Sequence, residues 1–126
     1  MDPSHGHGAA GLPPADHAMW AERNLESMHA HLDHWEAGLR SGVCRPRSLI
    51  RAYRDNYGVL INAKDAGLDR LASLAERADD ALEHLIVRCS SAMRHARGDV
   101  RRATAECARE YQRMRPMVRY GEDDDA

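Results

Sequence analysis

Cys89 and Cys107 have the strongest claim to chemistry in this chain. Each stands nine residues from Gly98, so a helical hairpin turning at that glycine brings the two into register, both on the apolar side of their segments. Two thiols meeting in a core make a redox pair or a soft-metal site suited to Cu(I), with Met93 and Met114 within about one turn of them. The plainer role for each is that of a small buried hydrophobe, since no C-x-x-C spacing and no charged activator accompany them. Cys44 makes the count odd, which points to reduced thiols in a reducing compartment.

The chain has 8 histidines, with His5, His7, His17, His29, His31 and His34 crowded toward the start. A di-iron carboxylate bundle draws on two Glu-x-x-His motifs and two more Glu, all inward. Only Glu26 and His29 have that spacing, and Glu26 projects away from the apolar seam of its segment. His84 and His95 do not supply the paired inward histidines of a haemerythrin-like bundle. The M-H-A-H-L-D stretch around His31 invites comparison with a phosphotransfer histidine, but Asp33, His34 and Trp35 stand where a small residue and a Lys belong. Glu76, Asp80, His84 and Arg88 form one helical row that reads as a solvated face with local ion pairs. No Gly-rich phosphate loop, G-x-S-x-G or H-E-x-x-H occurs. The reading is therefore of a protein that is not an enzyme, with no catalytic residues and no cofactor.

Two other groups of residues suggest binding. Arg101, Arg102, Arg109 and Arg113 give the last apolar segment a basic face of the kind that meets phosphates, yet Glu106 and Glu110 fall among them, and the overall pI of about 6.4 is unlike that of most nucleic-acid binders. Met19 and Trp20 lie off the first seam and, with Tyr53, Tyr57 and Tyr120, are candidates for partner contact, because exposed aromatics commonly anchor interfaces. Packing at the edge of the core would use the same residues equally well.

All of these must be positioned by helices. The 126 residues suit one domain, and 43% hydrophobic content without Phe favours Leu, Ala and Met packing between helices over the aromatic surfaces of sheets. No run of 18 apolar residues is present to span a membrane, and Met1 to Pro14 lacks the pattern of a signal peptide, so a soluble cytoplasmic protein is expected. Lys64 is the only Lys among 18 basic residues, a bias consistent with a GC-rich, bacterial source.

Glycine and proline divide the chain. Residues 1–14 read as a disordered tail rich in His, Gly and Pro, residues 15–119 as a helical bundle, and residues 120–126 as an acidic tail. Within the bundle, Ala18, Ala21, Leu25, Met28, Leu32, Trp35 and Leu39 keep steps of three and four, a coiled-coil seam for which Asp16 is the natural N-cap. Leu49, Ile50, Tyr53, Tyr57, Leu60 and Ile61 form the apolar face of a second segment from Pro46 to Ala63. Leu68, Leu71, Ala75, Ala78, Leu82, Leu85, Cys89, Ala92 and Ala96 mark a third, and Val100, Thr104, Cys107, Tyr111, Met114 and Val118 a fourth that Pro116 should end or kink. Short connections imply an antiparallel four-helix bundle. Fusion of the second and third segments through Gly67, or of the third and fourth through Gly98, remains an alternative that would expose long apolar stripes and require an oligomer. The function expected on this basis is a non-enzymatic helical protein-interaction module (an adaptor, regulatory subunit, secretion chaperone or structural component) that meets a protein partner or itself through its seams. A nucleic-acid-binding regulator and a metal or redox sensor built on Cys89 and Cys107 are the alternatives.

Overall fold

Prolines open the first two helices, where the N–H they lack would have had no partner in any case. The computed structural model describes residues 13–122, which form α1 (Pro14–Arg40), α2 (Pro46–Asp65), α3 (Asp69–Arg94) and α4 (Val100–Val118), with no strand among the described residues. Helices α1 and α2 end alike. Gly42 and Gly67 take left-handed φ values of 79° and 73°. The N–H of Gly42 donates to Leu39 O at 3.0 Å and that of Val43 to Gly38 O at 2.8 Å, while Gly67 donates to Lys64 O at 3.1 Å and Leu68 to Ala63 O at 2.8 Å. Both are Schellman closures, which satisfy the last carbonyls of a helix and turn the chain away from its axis. At the start of α4 the Asp99 carboxylate accepts from the Arg102 N–H at 3.0 Å, an N-cap. The helices are therefore separate, and neither fused-helix alternative is realised.

Several boundaries differ from those read in the sequence. Asp16 is not an N-cap: α1 begins two residues earlier, after Pro13, and Asp16 lies in its first turn, where its charge still complements the helix dipole. Pro116 sits within the last turn of α4, which continues to Val118. Tyr120, assigned to the acidic tail, is buried in the core. Residues 1–12 of the expected first tail, including His5 and His7, and residues 123–126 of the last lie outside the described residues.

Each helix packs against the next in the chain, and α4 returns to α1 through a sparser contact, giving an up-and-down bundle. The α1, α3 and α4 seams face inward as their periodicity demands: Met28, Leu32 and Trp35, then Leu82, Leu85 and Cys89, then Cys107, Tyr111 and Val118 are all buried. Helix α2 is rotated from the expected face. Its buried residues are Ser48, Leu49, Ala52, Asn56, Gly58, Val59, Asn62 and Ala63, whereas Ile50 and Tyr57 remain 38% and 46% exposed. Close approach explains the rotation: a Cβ on Gly58 would lie 2.8 Å from the Asn24 side chain of α1, so the small residues of α2 face its neighbour and the larger ones turn out.

Two buried asparagines are tolerated on that face because each is hydrogen-bonded. Asn62 donates to Gly58 O at 2.8 Å and accepts from His17 Nδ1 at 3.0 Å. Asn56 donates to Ala75 O at 2.8 Å and accepts from the Tyr120 hydroxyl.

Candidate metal centre

Cys89 on α3 and Cys107 on α4 meet in the core, as their equal spacing from Gly98 requires, and Cys44 joins them from the α1–α2 connection. The three sulfurs lie within 4.8 Å of one another, with Cys44 and Cys107 in S–H contact at 3.5 Å. Their residues are only 6%, 1% and 2% exposed for Cys44, Cys89 and Cys107. Cys44 reaches the site because the Schellman closure of α1 folds the chain back. Thr104 of α4 then fastens the turn, its hydroxyl donating to Gly42 O at 3.3 Å, before Pro46 starts α2. Sequence periodicity had no means of finding Cys44, since it lies between helices.

Trp35 completes the surroundings. Its ring stands edge-on to Tyr111, with centroids 5.0 Å apart and planes at 88°, a geometry that fixes its orientation. The indole N–H is buried without an acceptor in hydrogen-bonding reach, yet it is near enough to the Cys44 sulfur to favour its thiolate. An orphaned donor of this kind costs about 1–3 kcal/mol, a cost that a nearby anionic sulfur would offset.

The trio divides its protons unevenly. Cys44 is held well below the usual thiol range, first by hydrogen bonding from Cys107, then from Cys89, against the opposing effect of burial, with a smaller pull from the nearby Trp35 indole. Cys89 and Cys107 are pushed up: Cys89 chiefly by its bonds to Cys107 and Cys44, Cys107 chiefly by its bond to Cys44, and both by burial. The field of the Glu106 carboxylate raises Cys107 further. No His, Asp or Glu ligand atom joins the three sulfurs in this cluster among the described residues. A cleft of about 250 Å³ between α3 and α4 is lined by Arg88, Cys89, His95, Glu106, Cys107 and Glu110, beside the two buried cysteines.

The other sequence candidates fall elsewhere. Met93 and Met114 are partly buried and pack against the core. Met19 and Tyr57 are exposed, Trp20 and Tyr53 are half-buried, and Tyr120 is not available as a surface contact. Arg101, Arg102, Arg109 and Arg113 are exposed on α4, but Arg102 pairs with Glu106 at 3.8 Å and Arg113 with Glu110 at 3.1 Å, so part of the basic face is neutralised by its own helix. The Glu76 row does not act as a unit: Glu76 pairs with Lys64 at 3.2 Å, and His84 with Glu110 at 2.6 Å.

One polar cluster was not legible at all. Arg119, only 4% exposed, donates to the Tyr111 hydroxyl at 2.9 Å, to Asp33 and Glu122 at 2.6 Å each, and to Glu36. Burial works against its charge, but the bonds to Tyr111 and Asp33 and the field of Glu36 outweigh it and leave the guanidinium more firmly protonated. Four of the five guanidinium N–H donors are engaged in this way, and the group ties α4 to α1. No family model, curated protein or solved structure matches the chain.

Proposed function

We propose that this protein is a non-enzymatic helical module that captures a thiophilic metal or metalloid ion on Cys44, Cys89 and Cys107. The observation that carries this reading is the convergence of three buried sulfurs from three elements. A cysteine serving only as a small hydrophobe has no reason to seek out two others. Metal–sulfur bonds of about 2.3 Å in a trigonal arrangement separate the sulfurs by about 4 Å, which is compatible with their present spacing. Titration of the fully reduced protein with Cu(I), Zn(II) and arsenite tests it. One ion per chain should protect all three thiols from a thiol-modifying reagent, and three unprotected thiols at saturating amounts of every ion would remove the reading.

Contact with another protein is a second reading, supported by the outward face of α2. Ile50 sits in a cleft with Arg47, Arg51 and Arg54, and Tyr57 lies two turns along the same helix. An apolar centre ringed by guanidinium groups suits an acidic partner surface, including one supplied by another copy of this chain. A light-scattering mass above that of one chain, reduced by Ile50→Glu, would support self-association. A one-chain mass over the whole concentration range would exclude it.

A further inference from the structure

We infer that the centre takes a trivalent metalloid, arsenic(III) being the natural probe, in preference to Cu(I) or Zn(II); this rests on the thiol-capture reading above. The argument is one of charge and ligand number. Three thiolates around a monovalent ion leave two uncompensated negative charges, around a divalent ion one, and around a trivalent ion none, and burying net charge is strongly unfavourable. The sulfurs are enclosed by apolar packing and by Trp35, and in the neighbouring cleft the charge of Arg88 is opposed by the carboxylates of Glu106 and Glu110, so excess negative charge at the site finds little net relief.

Ligand number gives the same preference. A closed structural zinc site needs four protein ligands, and this cluster supplies three. The Trp35 N–H can donate to a bound sulfur but cannot ligate a metal. Arsenic(III) is satisfied by three thiolates in a trigonal pyramid, its lone pair occupying the remaining corner.

Capture needs no oxidant. Arsenous acid, As(OH)₃, enters uncharged and exchanges ligands with the three thiols: three As–O bonds break and three As–S bonds form. Each thiol proton leaves on a departing hydroxide, giving three waters in all. Arsenic stays at its trivalent state and every sulfur at thiol oxidation level.

The test compares arsenite, Zn(II) and Cu(I) on the reduced full-length chain by native mass spectrometry, with free thiols counted before and after. Arsenite should add one arsenic less three protons and reduce the count of reactive thiols to zero, and should remain bound under an excess of Zn(II). Cys44→Ser should lose the three-coordinate adduct and weaken retention at least tenfold; circular dichroism establishes that it is folded, and the thiol count on the unaltered protein stands whether or not the variant folds. An arsenic adduct that leaves a thiol countable, or displacement by Zn(II) or Cu(I) at equal concentration, overturns the trivalent preference and leaves thiol capture standing. Failure of all three ions to bind sinks both.

Discussion

Asn56 uses both ends of its amide in the core, donating to Ala75 O at 2.8 Å and accepting from the Tyr120 hydroxyl. Tyr120→Phe removes that donor and leaves a buried carbonyl oxygen without a partner, which should lower stability by about 1–3 kcal/mol in urea titrations. The same hydroxyl sets an alkaline limit. Burial raises the phenol of Tyr120 above its ordinary value of 10.0, and burial, the largest influence on Tyr111, takes that residue to about 12. A raised folded pKa means that the folded chain keeps protons the unfolded chain has released. The contribution is therefore complete below about pH 10 and is lost as pH rises toward the folded values. Urea midpoints should fall between about pH 10 and pH 12, less steeply in Tyr120→Phe, with Tyr111 accounting for the remaining slope. A slope unchanged by the substitution would assign the alkaline loss elsewhere. The sequence left Tyr120 between partner contact and packing at the edge of the core, because it follows the last periodic residue of α4 and only the folded turn brings it back over Asn56.

At the scale of elements, the ends of α1 and α2 form a natural control pair. Gly42 and Gly67 have the same left-handed backbone, and at neither would an added Cβ meet any atom within 4 Å, so substitution costs conformation and not space. Gly42→Ala and Gly67→Ala should each destabilise by about 1–2 kcal/mol. Only Gly42→Ala should also weaken ion retention, since Cys44 follows that turn directly and the Gly42 carbonyl accepts the Thr104 bond. Equal retention by the two variants, measured on folded protein, would mean that Cys44 is held by its packing alone. The legibility of these elements follows their physics. Helices α1, α3 and α4 pack through apolar seams, so steps of three and four revealed their faces, and equal distance from Gly98 revealed the Cys89–Cys107 encounter. Helix α2 packs in part through Gly58 and two hydrogen-bonded asparagines, which an apolar pattern does not count, and its exposed Ile50 and Tyr57 misdirected the reading.

Across the whole molecule, one buried charge bridges the sparsest contact between helices. Helices α1 and α4 meet sparsely, and Arg119 spans them through Asp33 and Glu36 while holding Tyr111, itself packed on Trp35. Arg119→Ala leaves the largely buried Glu36 facing a void without its main counter-charge, although Arg115 lies 3.4 Å from it; the expected loss is about 3 kcal/mol or more by chemical denaturation. A loss below 1 kcal/mol would show that Arg115 takes over the pairing. The position of the three sulfurs also has a kinetic meaning. They come from positions 44, 89 and 107, so the opened chain presents isolated thiols, and a captured ion leaves only when at least one sulfur-bearing element swings out. Its residence time should then follow the rate of local opening of the α1–α2 connection, with the steep temperature dependence of an unfolding step, and not the much faster ligand exchange of an exposed thiolate.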